Sequence, residues 1–212
     1  LFLFPTLIFG NNTFIIQPTP QSFEMKSGEI IKPASVKLIG KTNADVYVVQ
    51  LLQSFFSETT SKKDFPVYIG ERGNRDVQPY SSRIPARAEG YYLAIEKDKI
   101  VIAGNDKRGT YYAVRTLQQI VKQSENLPLL EITDYPDITA RGVVEGFYGT
   151  PWSFDDRLSL LDFFGENKLN TYIYGPKDDP YHGFGEKWRV PYPEKEAQAI
   201  KQLLQKAKDN HV

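Results

Sequence analysis

With 26 Lys and Arg balanced by 26 Asp and Glu in 212 residues, the chain has no net charge, which disfavours a phosphate backbone or an anionic lipid surface as its main partner. It has no cysteine, which excludes disulfides, thiol chemistry and cysteine-type zinc sites, and its two histidines, His182 and His211, lack partners at metal-ligand spacing, so neither metal nor cofactor is expected. A composition 41% hydrophobic and 25% charged is that of a globular chain, long enough for one large domain or for a small domain plus part of another.

Residues 1–10, Leu1-Phe-Leu-Phe-Pro-Thr-Leu-Ile-Phe-Gly10, are apolar and uncharged and precede the polar Asn11-Asn12-Thr13. They read as the tail of a signal-peptide hydrophobic region, with a buried N-terminal strand as the alternative, and point to an exported, periplasmic or extracellular bacterial protein. Neither they nor any other segment is long enough to span a membrane. Thr13 to Gln17 alternates like a strand and meets Pro18 and Pro20. Ser35 to Ile39 reads as a second strand. Val48, Leu51, Leu52 and Phe55 recur at helical spacing between Ala44 and Glu58, and Val67 to Ile69 is a short strand ending at Gly70.

Residues 71–89 are polar, with Gly73, Pro79 and Pro85, and read as a long connection. Tyr91 to Glu96 and Lys99 to Ala103 are strands joined at Lys97-Asp98. Gly104-Asn105-Asp106 opens a helix with Tyr111, Val114, Leu117, Gln118 and Val121 along its inner face, and Leu129 to Thr133 is one more strand. Residues 11–134 are therefore expected to form an α+β domain with helices on one face of a sheet.

After Pro136 the order becomes regular. Arg141 to Glu145 is a strand. Phe154 to Asn167 is a helix, with Ser153 and Asp156 at capping-box spacing and Leu158, Leu161 and Phe164 in one stripe. Asn170 to Tyr174 is a strand. Glu194 to Asn210 is a helix entered through Pro193, with Ile200, Leu203, Leu204 and Ala207 on its inner face. Such βαβα alternation belongs to a parallel sheet or barrel. Residues 137–212 are 76 positions, whereas a (β/α)8 TIM barrel takes about 250. This region is expected to be the start of such a barrel, truncated after two βα units.

In a βα barrel the functional groups gather on the loops that leave the C-terminal ends of the strands. Here those loops are Glu145-Gly-Phe-Tyr-Gly-Thr-Pro-Trp152 and Gly175-Pro-Lys-Asp-Asp-Pro-Tyr-His182. Arg141-Gly-Val-Val-Glu-Gly-Phe-Tyr-Gly149 with Pro151-Trp152 resembles the opening strand and loop of glycoside hydrolase family 84, the O-GlcNAcase family. Asn170-Thr-Tyr-Ile-Tyr-Gly-Pro-Lys-Asp-Asp179 is similar to that family's second strand and loop. The region from Gly90 to Tyr112, with Ala103-Gly-Asn-Asp-Lys-Arg-Gly-Thr-Tyr-Tyr112, resembles the small α+β domain of hexosaminidases and bacterial O-GlcNAcases.

The resemblance implies a retaining β-N-acetylglucosaminidase acting on a GlcNAc-bearing glycoprotein or glycan. In that family the substrate's 2-acetamido group replaces an enzymic nucleophile. Two adjacent aspartates assist, and the resemblance puts that pair beyond Val212, so no catalytic residue is expected in this chain. Carried over by position, Gly146 offers its backbone carbonyl to a sugar hydroxyl, Tyr148 walls the acetamido pocket and Lys177 donates to a sugar hydroxyl.

Plainer readings stand beside these. Gly146 and Gly149 can serve a tight turn, Tyr148 can be core, and Lys177 can pair with Asp178 or Asp179 at the surface. Glu145 ends a strand where barrel enzymes keep catalytic groups, yet a structural hydrogen bond to the next loop explains it equally well. Asp155-Asp156 suits the first turn of a helix, and Asp178-Asp179 suits loop ordering. A carbohydrate-binding module without catalysis is the alternative from another class. A family 20 hexosaminidase, with an Asp-Glu pair, is the alternative enzyme. Oligomeric state has no signature in the sequence.

Overall fold

The computed structural model describes residues 7–9, 12–58, 64–146, 150–175, 181, 187 and 190–212, with side chains from residue 14 onward. The chain forms two compact units, Leu1–Asp137 and Ile138–Val212.

The first unit opens with a short antiparallel pair, β1 (Leu7–Phe9) and β2 (Asn12–Phe14). Then follow β3 (Ser22–Ile31), β4 (Ser35–Ile39), α1 (Val46–Gln53), β5 (Ser57–Glu58), β6 (Phe65–Glu71), β7 (Tyr91–Ile95), β8 (Ile100–Gly104), α2 (Lys107–Gln123) and β9 (Asn126–Asp134). The strands from β3 onward make one mixed sheet of seven, in the order β3-β9-β7-β8-β6-β4-β5. Pairing is antiparallel from β3 to β8 and parallel from β8 to β5.

Every residue of β7 and β8 is buried because both faces of the sheet are covered. On one face Leu93, Ile95, Ile100 and Ile102 pack with Val48 and Leu52 of α1 and Leu117 and Ile120 of α2. On the other, Tyr92, Ala94, Val101 and Ala103 meet Val77 and Ile84. The polar connection of the sequence reading therefore has a structural role: two of its few apolar side chains close the second face. The Arg72 guanidinium holds it there by donating to the Ile84 carbonyl.

The motif that opens α2 is a docking knot. Asp106 caps the helix, accepting from the Gly109 amide at 2.8 Å and from the Glu89 amide at 2.7 Å. A methyl group on Gly109 would run into the Gly90 carbonyl oxygen, so only glycine lets the helix lie this close to the chain entering β7.

Several elements differ from the sequence reading. The strand expected over Thr13 to Gln17 is Asn12–Phe14, and it pairs with Leu7–Phe9, which lie in the segment read first as a signal-peptide tail and form the strand of the alternative reading. β3 was not foreseen: its alternation, with Phe23 and Met25 turned towards the core, is cut short by the polar Lys26 to Glu29, and it pairs with β9 at the sheet edge with a register irregularity between Met25 and Glu29. The helix expected over 44–58 is confined to Val46–Gln53, and the chain beyond it returns as β5 alongside β4.

The second unit runs β10 (Gly142–Glu145), α3 (Phe154–Glu166), β11 (Thr171–Tyr174) and α4 (Glu194–Asp209). β10 and β11 are parallel, with Gly142 opposite Thr171 and Glu145 opposite Tyr174. The capping box at α3 is realised in both directions: Ser153 Oγ accepts from the Asp156 amide at 3.1 Å, and the Asp156 carboxylate accepts from the Ser153 amide at 3.2 Å. Leu161 and Phe164 are its buried stripe, and the Phe164 ring meets Tyr172 edge-on at 6.3 Å. On α4 only Leu203 is buried. Leu204 is 58% exposed, and together with Ile200 and Ala207 these residues face Tyr172 and Tyr174 across a groove of about 330 Å³.

Candidate functional site

Parallel pairing in register makes β10 and β11 end level, so Gly146 and Gly175 leave the sheet side by side. Side chains alternate along both strands. Glu145, Tyr172 and Tyr174 lie on the side covered by α3, as their contacts with Arg157 and Phe164 show. Val144 and Ile173, directly opposite one another in the pairing, face away and are 57% and 52% exposed.

Glu145 is 4% exposed and meets four donors. Arg157 Nε and Nη2 bind its two oxygens at 2.8 and 2.6 Å, the Trp152 amide donates at 3.2 Å, and the Tyr172 hydroxyl completes the set. The guanidinium also lies over the Tyr174 ring, 5.0 Å from its centre. Burial pushes the Glu145 carboxyl up, but the bonds from Arg157, Tyr172 and the Trp152 amide outweigh it and hold the group below its ordinary value. The Tyr172 hydroxyl is pushed well up, by burial first and then by its bond to Glu145.

Both oxygens of this carboxylate are already engaged by donors within the protein, on the helix side of the sheet. Of the two readings left open for Glu145, the structure supports the structural one.

Arg141 has a comparable architectural role at the opposite end of the strands. Its guanidinium donates to the Lys168 carbonyl at 2.9 and 3.0 Å and to that of Ile138 at 2.7 Å. Its amide donates to Asn170 Oδ1 at 2.9 Å, while Asn170 Nδ2 donates to the Thr139 carbonyl at 2.8 Å. The residues that open the two sequence motifs thus tie the two strand starts together.

Gly146 is exposed. Its backbone is outside the left-handed region, and an added Cβ would meet no described atom nearer than the Val144 carbonyl oxygen, at 3.9 Å. Neither turn geometry nor packing against the described residues requires a glycine there. Tyr148 and Lys177 lie outside the described residues, as do Gly149, Asp178, Asp179 and His182. Asp156 belongs to the capping box. Among the described residues no group of three or more acidic or histidine side chains is arranged to hold a metal.

The β-N-acetylglucosaminidase family model matches residues 141–212, and the model for domain 2 of glycosyl hydrolase family 20 matches residues 13–135. The solved structure of CpGH84B aligns with a TM-score of 0.80 at 36% identity, over 92% of this chain and 35% of its own. The chain belongs to the glycoside hydrolase family 84-like hexosaminidases. The chain is 41% identical over 71 residues to the protein O-GlcNAcase of Rattus norvegicus, which covers 34% of the chain and 8% of that relative. Over 110 residues it is 32% identical to the N,N'-diacetylchitobiase of Vibrio harveyi, covering 51% of the chain and 12% of the relative. The chain therefore matches about a tenth of the length of these curated relatives.

Proposed function

We propose that the full-length protein is a retaining β-N-acetylglucosaminidase, O-GlcNAcase-like, which removes terminal β-linked GlcNAc from glycoproteins or glycans. The observation that carries this reading is Gly146. It is an exposed glycine at a strand end beside the equally placed Gly175, and no described residue explains its missing side chain. A ligand approaching the backbone closely would explain it.

In this reading β10, α3, β11 and α4 begin a (β/α)8 barrel whose functional edge is the one where β10 and β11 end. The Gly146 carbonyl accepts from a sugar hydroxyl, Lys177 donates to another, and Tyr148 walls the acetamido group. The acetamido carbonyl oxygen attacks the anomeric carbon as the glycosidic C–O bond breaks. A carboxylic acid gives its proton to the leaving oxygen, and water then opens the resulting oxazoline with the same group acting as base. The two adjacent carboxylates for these steps come from beyond residue 212, so the 212-residue chain alone is inactive. In this reading the protein is exported, the apolar start of the chain ahead of β1 being the tail of a signal-peptide hydrophobic region.

Turnover of aryl glucosaminides whose N-acetyl group carries zero, one, two or three fluorines tests this reading in the full-length protein. Fluorine withdraws electrons from the attacking carbonyl, so kcat/KM falls steeply along the series. A flat series would remove the acetamido group from the mechanism, and binding without cleavage would make the protein a carbohydrate-binding module.

A further inference from the structure

The Glu145 carboxylate touches both limbs of the turn that presents Gly146. Glu145 itself is the residue before Gly146, and its Oε1 accepts the amide of Trp152, where the turn comes back to meet α3. The same carboxylate is bound to Arg157 on α3 and to the Tyr172 hydroxyl on β11. One buried group therefore fixes the exit of β10, the return of its loop, the helix that follows and the neighbouring strand.

Four donors on one carboxylate leave little rotational freedom, because tilting it breaks bonds on both oxygens together. Arg157 is 12% exposed in its side chain, so water does not readily replace Glu145 as its partner.

We propose that Glu145 is a positioning residue: through Trp152, Arg157 and Tyr172 it holds the backbone at Gly146 in the orientation that meets the sugar. The proposal rests on the glucosaminidase reading above. The carboxylate acts through the loop and touches no reacting atom. Its effect is on binding geometry, which enters substrate and transition state alike, so its loss appears chiefly in KM.

The test uses the full-length protein and an aryl N-acetyl-β-glucosaminide. Glu145→Gln keeps the shape of the side chain and removes the charge that Arg157 and the Trp152 amide meet. KM rises by roughly tenfold, the effect of weakening one hydrogen bond to a sugar hydroxyl, while kcat changes less. Tyr172→Phe keeps the Arg157 and Trp152 bonds and raises KM by only a few fold; it serves as the second variant should Glu145→Gln fail to fold.

Hydrogen exchange at the Trp152 amide is read in parallel. The amide is protected in the wild type and exchanges faster in Glu145→Gln. Folded variants with unchanged KM and kcat overturn the positioning role, as does a Trp152 amide that is unprotected in the wild type. A wild type that neither binds nor cleaves the glycoside overturns the glucosaminidase reading and the positioning role with it, whereas the clamp is judged by amide exchange regardless.

Discussion

Glu145 and Arg157 show how a buried charge is tolerated at a strand end. Each oxygen of the carboxylate meets at least two donors, so the desolvation of both ions is met by bonds of good geometry. Removing one partner strands the other: Glu145→Ala should destabilise the second unit by about 3 kcal/mol, as measured by denaturant unfolding of the full-length protein. The contribution also depends on pH. Because the folded-state carboxyl lies below its ordinary value of 4.5, the folded state binds the proton less readily than the unfolded state. The stability difference between wild type and Glu145→Gln is therefore full above about pH 4.5 and disappears as pH falls through the lower folded-state value. Unfolding curves at several pH values check this, and a difference that grows on acidification would contradict it. Sequence alone left the role of Glu145 open because alternation tells which residues share a face but not which face the helix covers. The signal available was Arg157, placed one turn into α3 after a capping box, where it can reach back to the strand end.

At the level of elements, the two βα units were legible because their stripes, caps and breakers agree. Ser153 and Asp156, Leu161 and Phe164, and Pro193 all do what their spacing predicts. β3 was harder to read: its inward side chains Phe23, Met25 and Ile30 are only half-buried against the core and interrupted by the polar run Lys26 to Glu29, and its pairing is with β9, a partner about a hundred residues away. The contraction of α1 has the same origin, since the parallel pairing of β5 with β4 takes residues that helical periodicity alone would have kept. Gly142 is the position where strand pairing is most sensitive. A methyl group there would run into the Thr171 carbonyl oxygen of the paired strand. Gly142→Ala should lower stability by about 1–3 kcal/mol, the usual range for overpacking. A substitution that left the denaturation midpoint unchanged would show that β10 and β11 are not packed this closely.

Across the whole molecule the two units differ in how completely they bury their apolar residues. The first has a covered sheet with cores on both faces. In the second, the buried apolar side chains among those described are Leu161, Phe164 and Leu203, while Val144, Ile173 and Leu204 are each more than half exposed. The 212-residue chain expressed alone should thus yield, on limited proteolysis, a protected fragment ending near residue 134, with cleavage beyond it. Uniform resistance up to Val212 would contradict this. Little of the candidate site could be read beyond its location: periodicity assigned the strands and their ends, but that none of the described residues crowds Gly146 needed coordinates.

The central claim is that the ends of β10 and β11 together form one wall of a pocket for an N-acetylated hexose. Steady-state kinetics of Lys177→Ala in the full-length protein, with an aryl N-acetyl-β-glucosaminide, tests it most directly. Loss of one hydrogen bond to a sugar hydroxyl, worth on the order of 1–3 kcal/mol, raises KM about tenfold or more; unchanged KM and kcat would take the end of β11 out of the site.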